Sequence, residues 1–169
     1  INLAASSSNK KFHSWIIFRL GEFYLNYAEA MFRYTGDVEQ VLPGDKSPLT
    51  AREAVNVIRQ RTGVKMPELQ ADDVSDPEVF WKRYKNERMV ELAFEGHRFW
   101  DVRRWKEGEL LKEVTFMKIT QNNNGTYNYS REKSTRSWDD KMYLFPIPQT
   151  ELMCNTNLTQ NPGWEFLIF

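Results

Sequence analysis

Apolar positions recur along the chain in two different rhythms, and the change between them falls near Leu110. From Arg19 to Tyr34 there is no proline. Leu20, Tyr24, Tyr27 and Met31 follow one another there at steps of four, three and four, which predicts an amphipathic helix with that stripe as its core face. Gly36 and Asp37 end it, and a polar connection with Pro43, Gly44 and Pro48 leads to Thr50, an N-cap with Glu53 in the capping-box position. The helix that follows places Ala51, Ala54, Val55 and Ile58 on one face and is expected to stop at Gly63, so the two segments read as an αα-hairpin. Asp76-Pro77-Glu78 opens a third helix, because Asp caps and Pro loses nothing in a first turn; it is expected to run to about Phe94. Gly96 interrupts it, and His97 to Trp105 forms a further short helix closed near Gly108.

Beyond Leu110 the helical period is lost. Val114, Phe116 and Ile119, then Tyr127 and Tyr129, flank Asn122-Asn123-Asn124-Gly125, the residues of a tight turn, and predict a small β-hairpin. Pro146 and Pro148 fix extended chain after Met142 to Phe145, Gln149 to Met153 can make one helical turn, and Asn161-Pro162-Gly163 turns the chain before Trp164. At the other end, Leu3 to Lys10 is a small, polar lead-in, and Trp15 to Phe18 starts either a short strand or a helix. The fold class expected is mainly α with a small β-hairpin and an irregular C-terminal segment. A single helical hairpin is too few units to establish a repeat protein.

Composition narrows the possible functions. With 169 residues, 41% of them apolar, and 11 Phe, 7 Tyr and 6 Trp, the chain has the means to bury a core and is not generally disordered. Lys plus Arg and Asp plus Glu number 23 each, which removes the broad positive field expected of a nucleic-acid binder. No apolar run, including Phe166 to Phe169, approaches the length of a membrane span. Cys154 alone excludes an internal disulfide, and His13 and His97 leave little for a metal centre, so no cofactor is expected. No Gly-rich phosphate loop is present. The first residue is Ile1, with no initiator Met or apolar leader, which reads as a fragment or a processed form.

The densest chemistry lies between Arg83 and Arg104. Arg83, Glu87, Glu91 and Glu95 recur every four residues, and Arg98, Asp101, Arg103 and Arg104 follow Gly96. Stacked carboxylates repel unless cations intervene. A glycosidase pair must flank its substrate and normally comes from different elements, and a di-iron bundle wants Glu-x-x-His, which Glu95-Gly96-His97 does not supply. The reading that remains is a structural ion-pair lattice of Arg83, Glu87, Glu91, Glu95, Arg98, Asp101 and Arg104, shielded by Phe94, Phe99, Trp100 and Trp105. His97 has no Ser or Cys partner in a nucleophile motif, and Cys154 has no cationic neighbour to activate it. Trp138, and Tyr127 with Asn124 at the hairpin tip, are candidate sugar contacts, since sugars lie flat on aromatic faces while amides take hydroxyls; the alternative is that these rings cover the edge of the core. Sequons at Asn124, Asn128 and Asn157 mark surface loops.

Glu87-Arg88 followed by Glu91-Leu92-Ala93-Phe94-Glu95-Gly96-His97-Arg98-Phe99-Trp100-Asp101-Val102-Arg103-Arg104-Trp105 closely resembles the signature of the SusD/RagB family of surface glycan-binding lipoproteins. Leu20 to Ala30 is similar to that family's final tetratricopeptide-like helix, and Asn56 to Gly63 to the helix paired with it. Tyr143-Leu144-Phe145-Pro146-Ile147-Pro148, Glu151-Leu152 and Asn157 to Trp164 resemble its closing segment. The resemblance implies the C-terminal portion of a helical superhelix: a hairpin over 18–63, signature helices over 76–106 and an irregular part over 110–169, with the N-terminal part and the lipid anchor outside this chain. It implies a non-catalytic glycan-binding protein of the outer-membrane surface and, as partner, a SusC-like TonB-dependent transporter over which it forms a lid. The ligand is a glycan or, alternatively, a peptide or other nutrient; glycoside hydrolysis by Glu91 and Glu95 is the weakest reading. The resemblance places no sugar contact on any residue of this sequence.

Overall fold

The computed structural model describes residues 17–44 and 48–165; the polar lead-in, His13, Trp15 and the apolar end Phe166 to Phe169 lie outside them. Ile17 and Phe18, the described end of the segment read as a strand or helix start, are exposed and in neither. The chain divides between Glu95 and Gly96 into two compact units.

The first unit contains α1 (Leu20–Thr35), α2 (Ala51–Arg59) and α3 (Pro77–Glu91). Each boundary has a local cause. Gly36 closes α1 in the left-handed conformation, φ 71°, with its N–H on the Phe32 carbonyl. Thr50 and Glu53 form the complete capping box of α2, each side chain accepting from the other's backbone N–H. Asp76 accepts from the Glu78 N–H at 2.8 Å and Pro77 opens α3. Asn56, buried in α2, holds the following loop by two hydrogen bonds, donating to the Leu69 carbonyl at 3.0 Å and accepting from the Leu69 N–H at 2.8 Å.

The core of this unit joins Leu25, Ala28, Met31 and Phe32 of α1 to Ala51, Ala54, Val55 and Ile58 of α2 and to Phe80, Trp81 and Tyr84 of α3. Phe32 lies 5.0 Å from Phe80 and stacks on Trp81 at 5.8 Å, and the Arg33 guanidinium covers Trp81 at 4.0 Å. The buried face of α1 is therefore not the stripe its spacing suggested. Of Leu20, Tyr24, Tyr27 and Met31 only Met31 is buried, and Leu20 is 69% exposed. Apolar residues surround α1 on nearly all sides, so period alone does not select a face. Packing on α2 selects it, because small Ala28 faces inward along with the alanines of α2. The remaining stripe lines an open groove of about 590 Å³ with Phe23, Ala30 and Leu49.

Helix α3 ends at Glu91, short of Phe94: Leu92 leaves the helical region, and Phe94 (φ 66°) and Gly96 (φ 82°) turn left-handed. In the second unit α4 (His97–Arg104) is followed by a 3₁₀ turn at Gly108–Leu111 and by β1 (Glu113–Gln121) and β2 (Tyr127–Thr135), an antiparallel ribbon with Glu113 opposite Thr135 and Gln121 opposite Tyr127. A second 3₁₀ turn (Asp140–Tyr143) and α5 (Gln149–Cys154) complete it. The irregular end is held by side chains acting on backbone. Gln160 accepts from the Ile147 N–H at 2.7 Å and donates to its carbonyl at 2.9 Å, Asn161 donates to the Phe145 carbonyl at 2.6 Å, and the Trp164 indole donates to the Lys141 carbonyl at 3.0 Å. These bonds replace the ladder that prolines 146 and 148 cannot join.

The reassigned face of α1 gives a direct comparison. Leu25→Ala is expected to lose about 2–5 kcal/mol of unfolding free energy through the cavity it leaves. Leu20→Ala should stay within about 0.5 kcal/mol. Urea unfolding of both variants measures the difference, and equal losses would return the stripe to the core.

Candidate functional site

Glu87 and Glu91 stand on one face of α3, with Glu95 in the turn beyond. Their cations come from elements distant in sequence. Arg59, the last residue of α2, donates through Nη1 to Glu87, and Arg61, two residues on, donates through Nη1 to Glu91. Arg19, immediately before α1, spans the other two carboxylates: its Nε meets Glu95 Oε1 and Oε2 at 3.0 and 2.8 Å, and its Nη1 meets Glu91 Oε1 at 2.6 Å. Its Nη2 donates to the Glu91 carbonyl, so the same cation caps the C-terminus of α3, where carbonyls lack helical partners and a positive charge is favoured. A Cβ at Gly21 would stand 2.7 Å from Arg19 Nη1 and 3.1 Å from Glu91 Oε1, so glycine leaves the room this arrangement needs.

Electrostatics follow from this geometry. Burial alone would raise the Glu91 carboxyl, whose side chain is only 8% exposed; hydrogen bonds from Arg61 and Arg19, reinforced by their charges, outweigh it and hold the group below its ordinary 4.5. The hydrogen bond to Glu95, opposed by burial and assisted by Glu91, raises the Arg19 guanidinium above its already high ordinary value. A general acid needs a carboxyl shifted upward, so the chemistry available to Glu91 at neutral pH is that of a charged anchor. Two further polar links join α3 to α1: the Tyr84 hydroxyl lies 3.0 Å from the Leu25 carbonyl and 2.9 Å from Glu29 Oε2, and Arg88 Nη1 donates to Asn26 Oδ1 at 2.8 Å.

The other charges of the Arg83–Arg104 stretch behave differently. Arg83 is exposed and Arg98 partly buried, and neither makes an ion pair with the described residues. In the second unit Asp101, 2% exposed, receives Nε and Nη2 of Arg104 at 2.8 Å each, an i,i+3 pair within α4. The expected aromatic shield is only partial. The left-handed turn at Phe94 leaves its ring in solvent, and Phe99 and Trp100 are exposed; Trp105, under the Arg104 guanidinium at 4.6 Å, is partly buried.

The three candidate sugar contacts lie in two places in the second unit. Trp138 is partly buried; its ring occupies the space a Cβ at Gly108 would need and meets Tyr143 edge-on at 5.0 Å, while its Nε1 is buried with no hydrogen-bond partner among the described residues. Tyr127 opens β2 and is exposed. The Asn124 carboxamide oxygen is taken up by the turn, accepting from the Thr126 N–H at 3.1 Å and its hydroxyl at 2.7 Å. Arg19, Arg59 and Arg61 carry the site without having been singled out in the sequence. The available signal was three acidic residues at helical spacing whose repulsion demanded cations, although nothing local said which arginines would supply them. Among the described residues no group of three His, Cys, Asp or Glu could hold a metal ion, and no helix is long and apolar enough to cross a membrane.

Because the Glu91 carboxyl is lowered on folding, its contribution to stability is complete above its unfolded value near 4.5 and is lost as the pH falls through the lower folded value. Glu91→Gln should therefore cost about 2 kcal/mol at neutral pH, the scale of a hydrogen bond to a charged group. The gap to wild type should narrow as the pH drops from about 6 to about 3. Denaturant unfolding across that range measures it; a gap independent of pH would mean that the ionised carboxylate contributes nothing.

The model of the SusD family matches residues 2–164, which takes in both units, the ion-pair cluster and the ribbon. No curated protein matches the chain. No solved structure does either. A match over nearly the whole length, across helices and closing segment alike, places the chain: it belongs to the SusD family.

Proposed function

We propose that this chain serves as a non-catalytic, lipid-anchored glycan-binding protein of the outer-membrane surface, acting with a SusC-like TonB-dependent transporter in nutrient uptake. The observation that carries the proposal is the family match over residues 2–164. The state of the carboxylates supports its non-catalytic part. Glu91 is held ionised between Arg19 and Arg61, which does not suit it to donate a proton to a leaving group, while Glu87 is paired with Arg59 and Glu95 shares Arg19 with Glu91.

Affinity electrophoresis and calorimetry of the chain against neutral and acidic polysaccharides test the proposal. Retardation or heat with at least one glycan, and no release of reducing ends on prolonged incubation, is the expected outcome. Copurification with a TonB-dependent transporter but no response to any glycan would assign the protein to a different nutrient. Release of reducing ends that Glu91→Gln abolishes would make it a hydrolase.

A further inference from the structure

The β1–β2 ribbon has an unusual surface. Nearly every residue of both strands is exposed, and alternation sorts their side chains onto two unlike faces. One face carries Tyr127, Tyr129 and Arg131 along β2, with Gln121, Ile119 and Met117 directly opposite on β1. The two tyrosines are 52% and 66% exposed. At the rise of a strand, Tyr127 and Arg131 stand about 13–14 Å apart, in line with Tyr129 between them.

Charge distinguishes this face. Lys133, next along β2, is neutralised by Glu113 at 2.7 Å, and on the opposite face Lys118 is neutralised by Glu132 at 3.0 Å. Arg131 makes no ion pair with the described residues. The row therefore presents two aromatic rings and one uncompensated guanidinium, with Glu113, itself held by Lys133, as the only carboxylate in its register. Tyrosine faces attract the C–H side of a pyranose ring, and a guanidinium takes a carboxylate or sulfate through two parallel N–H donors. Phosphate-rich chains without such ring faces would use only the arginine.

We infer that the Tyr127–Tyr129–Arg131 face of the ribbon binds glycan bearing carboxylate or sulfate groups, the rings stacking on sugars and Arg131 taking the anion. The inference rests on the glycan-binding reading above and names the ligand class and the surface for it.

The test uses the full chain, with sodium polygalacturonate, its methyl ester, chondroitin sulfate and neutral amylopectin as probes and circular dichroism to check that each variant is folded. Wild type should bind polygalacturonate or chondroitin sulfate at least tenfold more tightly than amylopectin; because chondroitin sulfate carries both anions, binding to it without binding to polygalacturonate marks sulfate as the preferred anion, and binding to polygalacturonate marks carboxylate as sufficient. The double variant Tyr127→Ala/Tyr129→Ala should lose at least tenfold in affinity, Tyr127→Phe should keep it, and Arg131→Gln should erase the preference for polygalacturonate over its methyl ester. Glycan binding that none of these changes alters, or that favours neutral and acidic glycans equally, overturns the inference and leaves the glycan-binding reading intact. Equal affinity for duplex DNA would reduce the face to a general polyanion contact and also overturn it. Absence of binding to every glycan would instead bring down the functional reading on which it rests.

Discussion

The guanidinium of Arg19 touches both ends of a problem that the sequence creates for itself. Helix α3 stacks Glu87 and Glu91 and is followed closely by Glu95, while its last carbonyls need donors. Arg19 meets Glu95, the Glu91 side chain and the Glu91 carbonyl from a position just ahead of α1, and Arg61 reaches Glu91 from just beyond α2. Three helices are thereby joined at one carboxylate that is almost removed from water. Phe32, Phe80, Trp81 and Tyr84 belong to the buried apolar core of this unit, but such packing tolerates repacking. The ionic corner has narrower geometric demands, and Gly21 is the residue whose missing side chain lets it close.

The second unit solves a different problem with different means. Its closing segment has three prolines and little regular structure, so its backbone groups are satisfied one at a time by Gln160, Asn161 and Trp164. Trp138 on Gly108, with Tyr143 accepting from the Gly108 N–H at 2.9 Å, ties the same region back to the turn after α4. Rings used in this way are committed to structure. The tyrosines of the ribbon are not: Tyr127 and Tyr129 stand exposed on one face of a sheet that, among the described residues, has two strands.

Local signals in the sequence survived into the structure wherever one short segment determines the outcome. The capping box at Thr50 and Glu53, Pro77 in the first turn of α3 and the hairpin about the Asn-rich turn are all present as the residues suggest. What was not legible depended on partners far along the chain. The inward face of α1 was decided by packing on α2, which the stripe of Leu20, Tyr24 and Tyr27 could not foresee. The cations of the cluster sit 28 to 76 residues away from their carboxylates, beyond the reach of any spacing rule. The end of α3 came early because its final turn meets Arg19 and then passes through left-handed Phe94, a conformation that no β-branched or bulky residue advertises.

The most direct measurement of the ionic corner is a double-mutant cycle on Arg19→Gln and Glu91→Gln, read by urea unfolding at neutral pH and low salt. If Arg19 and Glu91 hold the three helices together as a coupled pair, the two losses fall short of additivity by about 1–3 kcal/mol. Losses that add to within about 0.5 kcal/mol would show that the two residues act independently and that the corner is not what the first unit depends on.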